Sequence, residues 1–195
     1  MILSATDSSA VPAEALANVT RDLPPVRISE IVLGTRRYDE MRAWWQAVLG
    51  VDPYLDNDKF SFRRLHTDYP YTQVLAIFHV PDAQDPVRPA CGLHHMQFRH
   101  ATLSALFDRF ERLRAVGIRP TRSMNHGPST SFYYTDPDGN TAELSGPNFD
   151  TEQEYLAYFD SEAYRKNISG IAVDPDEFVA RFRGGEPQAE LVKIP

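Results

Sequence analysis

Gly92 to Phe98 reads GLHHMQF, and Phe132 to Leu144 reads FYYTDPDGNTAEL. The first is a short strand candidate carrying the adjacent pair His94 and His95. The second is two strands around a tight turn, Asp136-Pro137-Asp138-Gly139, whose residue types all favour chain reversal. Between them, Leu103, Leu106, Phe107, Phe110 and Leu113 recur at helical spacing, and Gly117 caps the helix predicted over 103–116. Strand candidates at 118–122, 131–135 and 141–144 complete the order strand–helix–strand–strand–strand.

The same order precedes this stretch. Val26 to Leu33 reads VRISEIVL, an alternating strand. Met41, Trp44, Trp45, Val48 and Leu49 then mark a helix over 38–49 that ends at Gly50. Strand candidates follow at 51–55, 60–65 and 73–80, and a Pro- and Asp-rich linker over 81–89 separates the halves. The sequence therefore describes an α+β chain of two paired βαβββ units, 26–80 and 91–146. A single unit cannot cover both faces of its sheet, and two together form a concave mixed sheet able to hold a small molecule.

Residues 1–25 read as an N-terminal arm, and 147–195 as a helical tail. Thr151 caps a helix over 152–159, and a second runs over 176–182 and stops at Gly184-Gly185. The tail is expected to pack on the module or across a homodimer.

Composition narrows the function classes. Of 195 residues, 42% are hydrophobic and 24% charged, which allows a substantial core. The formal charge of −7 disfavours nucleic acid and anionic membranes as partners. No stretch is long and apolar enough to span a bilayer. The single cysteine, Cys91, excludes an internal disulfide, fits a cytoplasmic location, and reads as a buried small hydrophobe in a strand. In a strand, His94 and His95 would point to opposite faces, as would Tyr133 and Tyr134. The turn at Asp136 lacks the spacing of a calcium loop. His66 and His100 carry no assigned role, and Trp44 and Trp45 read as helix-packing residues.

The paired units, opened in the second half by GLHHMQF and closed by FYYTDPDGNTAEL, resemble the vicinal-oxygen-chelate superfamily. The stretch Asn125 to Phe149, NHGPSTSFYYTDPDGNTAELSGPNF, is most similar to the single-module extradiol dioxygenases of the biphenyl-diol type. The resemblance implies metal ligands at Glu30, His95 and Glu143, with Glu30 standing in ISEIVL where the dioxygenases carry histidine. It implies acid–base and hydrogen-bonding roles for His79, His126 and Tyr133. It also implies a small aromatic, catechol-like substrate, dioxygen as co-substrate, and Fe(II) as the metal.

Three ligands on one face of a divalent ion leave positions for two substrate oxygens and dioxygen. Imidazoles that titrate near neutrality suit proton transfer to and from a diol. A second carboxylate at Glu30 makes the site formally neutral and widens the choice towards Mn(II) or another hard divalent cation. The same residues are compatible with an oxygen-independent isomerase, epimerase or lyase, and the fold alone with a metal-free binding protein.

Overall fold

The computed structural model describes residues 26–70, 72–87 and 91–194; the expected N-terminal arm lies outside them. The first unit comprises β1 (Glu30–Thr35), α1 (Tyr38–Leu49), β2 (Leu55–Asp56), β3 (Phe60–His66) and β4 (Gln73–His79). The second comprises β5 (Met96–Arg99), α2 (Leu103–Ala115), β6 (Arg122–Asn125), β7 (Ser129–Thr135) and β8 (Thr141–Pro147). Beyond them come α3 (Glu152–Tyr158), α4 (Glu162–Lys166), β9 (Ile171–Ala172), α5 (Pro175–Arg183) and α6 (Gln188–Leu191).

The expected repeat is present in the pairing itself. The first sheet has the order β1-β4-β3-β2 and the second β5-β8-β7-β6, extended by β9. In each unit the first strand forms an edge and pairs parallel with the last strand, and the remaining pairs are antiparallel.

The helices form because their apolar positions recur on one stripe. Tyr38, Met41, Trp45 and Val48 of α1 are buried, as are Leu103, Leu106, Phe107, Phe110 and Leu113 of α2. Gly50 ends α1 in the left-handed conformation at φ 66°, and the Thr102 hydroxyl caps α2 by accepting from Ala105 N–H at 3.1 Å. The two helices meet. The Arg109 guanidinium donates to the carbonyls of Ala47 and Leu49, and Trp45 packs edge-on against Phe98 of β5. Both sheets therefore turn their helix-covered faces to one core.

A buried carboxylate reinforces the seam. Asp136 accepts from the backbone N–H groups of Asp138 and Asn140 and from the Asn140 side-chain amide, as a turn residue should, and also from Trp45 Nε1 at 3.1 Å. The helix-packing residue of one unit and the turn of the other are thus a single hydrogen-bonded contact.

Several boundaries depart from expectation, among them three strand starts set by where a pairing partner lies. The first strand starts at Glu30, not Val26, in register with Val74 near the start of β4. The strand after α2 starts at Arg122, not Ile118, opposite Tyr133. The strand in GLHHMQF starts only at Met96, opposite Ala142. Upstream of Ala142 the partner strand runs into the Asp136–Asn140 turn, so Gly92 to His95 have nothing to pair with. Cys91 is accordingly exposed and outside any strand, a correction to its reading as buried.

The segment after Pro147 is bound to the second unit. β9 pairs with β6, Phe178 packs edge-on against Phe107, and the Asn125 side chain donates to Val192 O at 2.7 Å. Among the described residues no helix is long and apolar enough to cross a membrane.

Candidate active site

Parallel pairing of β5 with β8 places Gln97 opposite Glu143, and antiparallel pairing of β8 with β7 places Glu143 opposite Tyr133. On the face turned away from α2 these neighbours build a polar cluster. His95, one residue before β5, brings Nε2 to 2.9 Å from Glu143 Oε2; the Glu143 side chain is 5% exposed and that of His95 34%. The other carboxylate oxygen, Oε1, accepts from the Gln97 amide at 3.0 Å, and the same amide reaches Ser145 Oγ at 3.3 Å. Each oxygen of Glu143 thus has its own partner, and the carboxylate cannot rotate without losing one.

Tyr133 continues the cluster. Burial, and then the neighbouring Glu143 charge, hold its phenol above the usual tyrosine range, while the Arg122 guanidinium, 4.0 Å from the ring centroid, opposes the shift. The phenol therefore stays protonated at neutral pH. Its hydroxyl lies 2.9 Å from His126 Nε2, and His126 Nδ1 lies 2.9 Å from the Ser169 carbonyl oxygen. A carbonyl only accepts, so Nδ1 carries the proton. In neutral His126, Nε2 is then the acceptor and Tyr133 O–H the donor. Alternation along β7 sends Tyr134 the other way, wholly buried in the core.

His94 and His95 do not take opposite faces as a strand would require. They precede β5, and their Nδ1 atoms lie 2.7 Å apart, so His94 contacts the imidazole of His95 directly. His79 stands elsewhere. It pairs with Thr35 at one end of the β1–β4 ladder, whereas Glu30 pairs with Val74 at the other, five residues away and roughly 16 Å at about 3.3 Å per residue. The His79 ring stacks on Tyr38 at 5.2 Å, with Nδ1 3.2 Å from Asp58 O. The structure brings His95, Glu143, Tyr133 and His126 together, whereas the contacts of His79 are with Tyr38 and Asp58.

Glu30 is exposed and opens β1, as His95 immediately precedes β5, so the two occupy equivalent places on their sheets. The equivalence ends there. Two residues beyond His95, Gln97 faces Glu143; two residues beyond Glu30, Val32 faces Ala76. The first unit has no carboxylate at the position of Glu143. Among the described residues, no three His, Cys, Asp or Glu side chains are gathered closely enough to hold a metal ion. By donor chemistry, a half-exposed imidazole facing a buried carboxylate fits two positions of a divalent cation.

Supporting residues that sequence reasoning did not single out lie at the ends of the Asn125–Phe149 stretch. Asn148, 3% exposed, donates to Asn125 Oδ1 and to Gly127 O, both at 2.8 Å, and its own Oδ1 accepts from Thr130 Oγ1. Asn125 Oδ1 also accepts from Gly127 N–H. This buried amide network fixes the loop that carries His126. Both asparagines flank the recognised motif, but only the fold shows them adjacent. Beside the cluster, Gln97 also lines an open cleft of about 500 Å³ between the units, with Leu49, Leu65, His66, Gln73 and His100 among its walls.

The repeated topology agrees with comparison to known proteins. The description "Glyoxalase/Bleomycin resistance protein/Dioxygenase superfamily" matches residues 27–144. The chain belongs to this superfamily. Two curated members from Rhodococcus globerulus are similar over most of its length. Biphenyl-2,3-diol 1,2-dioxygenase 2 is 34% identical over 162 residues, covering 83% of this chain and 84% of the relative. Biphenyl-2,3-diol 1,2-dioxygenase 3 is 36% identical over 167 residues, covering 85% and 86%. A candidate glyoxalase from Bacillus halodurans superposes with a TM-score of 0.52 at 17% identity, over 62% of this chain and 95% of that one; this likeness is one of fold. Within the superfamily, the vicinal-oxygen-chelate architecture expected from the sequence is the one observed.

Proposed function

We propose that this superfamily member is an Fe(II)-dependent extradiol-type dioxygenase that opens the ring of a catechol-like aromatic diol with dioxygen. The observation that carries the reading is the hydrogen-bonded Tyr133–His126 pair set beside the facing His95 and Glu143. In this reading His95 and Glu143 hold the ion, with Glu30 as the proposed third donor. When bound, such an ion supplies acidification of the diol hydroxyls and a common place for diol and dioxygen.

The protein residues supply the rest. His126 Nε2, unprotonated and aimed into the cluster, takes a proton from a substrate hydroxyl. When a diol enters, Tyr133 keeps its proton and turns its O–H from His126 Nε2 to a substrate oxygen, stabilising the charge that develops there. Arg122, over the Tyr133 ring, favours an anionic diol nearby. Gln97 holds Glu143 in one orientation. Both atoms of dioxygen enter the ring-opened product, and the proton held by His126 is returned to it.

The test joins metal analysis to oxygen consumption. Purified protein reconstituted with Fe(II) is assayed with catechol and biphenyl-2,3-diol in an oxygen electrode, beside Glu30→Ala, His95→Ala and Glu143→Ala. The expected result is near-stoichiometric metal, oxygen uptake with a yellow product, and loss of both in all three variants. Retained metal in Glu30→Ala removes Glu30 from the ligand set. Metal binding without oxygen uptake across a broad catechol panel overturns the dioxygenase reading in favour of an oxygen-independent metal enzyme of the superfamily.

A further inference from the structure

His126 is held on both sides, and one side is built by a segment beyond the superfamily match. That match ends at residue 144, whereas Ser169 and Gly170 lie in the connection between α4 and β9. β9 fixes their position. Ile171 pairs with Asn125 and Ala172 with Met124, and Val173 N–H donates to Ser123 O at 3.1 Å. This ladder sets Gly170 against the backbone of residues 125 and 126. A Cβ on Gly170 would lie 2.2 Å from Asn125 O and 2.5 Å from His126 Cα, and Gly170 has φ +79°. The approach is possible only for glycine, and neither contacting atom can move aside as a side chain would. Beside it, Tyr158 of α3 packs where a Cβ on Gly127 would fall.

We propose that the segment Ser169–Ala172 is a positioning element of the active site: the Ser169 carbonyl fixes His126 as the Nδ1–H tautomer, so that Nε2 carries the lone pair, accepting from Tyr133 O–H at rest and acting as the base when a diol takes that bond. This rests on the reading of His126 as the proton acceptor in the proposed function. Free neutral imidazole favours the opposite tautomer, with the proton on Nε2. In that form His126 would present an N–H where a base is required, and Tyr133 O–H would be left to Glu143. The carbonyl reverses the preference because only Nδ1–H satisfies it.

Two-bond ¹H–¹⁵N correlation spectra of the ¹⁵N-labelled full chain, freed of paramagnetic metal and held above the imidazole titration, read the tautomer directly. His126 is assigned by its loss in His126→Asn. A protonated Nδ1 and a bare Nε2 are expected in the wild type. They should persist in Tyr133→Phe, because the carbonyl and not the phenol selects the tautomer. In Gly170→Ala the tail is displaced, and His126 should shift to the Nε2–H form while the resonances of Trp45 and Phe98, at the seam between the units, stay in place. A wild-type Nε2–H signal overturns the proposal, as does reversion in Tyr133→Phe. If Gly170→Ala does not fold, the other two measurements still decide. Absence of oxygen uptake would sink the dioxygenase reading without altering this readout.

Discussion

The Tyr133 hydroxyl donates to His126 Nε2 across 2.9 Å, and the direction of that bond follows from the Ser169 carbonyl on the other side of the ring. Tyr133→Phe removes the donor beside Glu143 and His95 while leaving all three residues proposed to hold metal unchanged. Metal content is expected to be unchanged and kcat to fall by about 10²-fold, in the range for loss of a positioned proton-transfer group. His79→Ala is the control: it alters a ring stacked on Tyr38 and should leave metal content and kcat/KM as in the wild type. A large kcat loss in His79→Ala with Tyr133→Phe active would reverse these assignments.

Gln97 carries a different expectation. Its amide holds Glu143 Oε1, so Gln97→Leu frees the carboxylate to rotate while leaving it present. Divalent-metal affinity should weaken by about 10- to 100-fold, the usual effect of removing a partner that orients a ligand. Titration of Mn(II) or Co(II) into wild type and variant measures it, and equal affinities would show that Gln97 does not orient the site.

Asp136 ties stability to pH. Burial raises its carboxyl above the usual carboxylate range, against the lowering by its Asn140, Trp45 and Asp138 donors. The folded value then exceeds the unfolded one, about 3.9. Its contribution is fully present below about pH 4 and is lost as pH rises through the raised folded value. The stability of wild type relative to Asp136→Asn should therefore decline between pH 4 and pH 7 in urea unfolding. A difference independent of pH would contradict it. Asp136→Ala, which strands the Trp45 N–H and the turn amides, should cost about 2–4 kcal/mol at either pH.

Gly50 is tested by a single methyl. Its left-handed φ of 66° and the Arg109 guanidinium 2.1 Å from a built Cβ both oppose a side chain. Gly50→Ala should destabilise the fold by about 1–2 kcal/mol. Part of that loss should vanish in an Arg109→Ala background if displacement of the guanidinium contributes, as thermal unfolding of the single and double variants would show.

The sequence by itself determined the two-unit α+β architecture. Apolar period and glycine punctuation are local properties, and Met41, Trp45 and Val48, or Leu106, Phe107 and Phe110, mark their helix faces wherever the chain goes. It also set Tyr133 and Tyr134 on opposite faces of one strand, because a strand's period is two. Strand ends were not legible at Glu30, Met96 or Arg122, because a strand extends only as far as its partner does. For the same reason Cys91 is exposed, and His94 and His95 touch instead of diverging. Tertiary structure alone decided the site's membership. Register over 46 residues puts Gln97 on Glu143, and a ladder from the tail puts Ser169 on His126. His79 stacks on Tyr38 at the end of the β1–β4 ladder away from Glu30, a placement no motif states. Sequence spacing records which residues can face the same way, and only pairing between distant strands determines which of them meet.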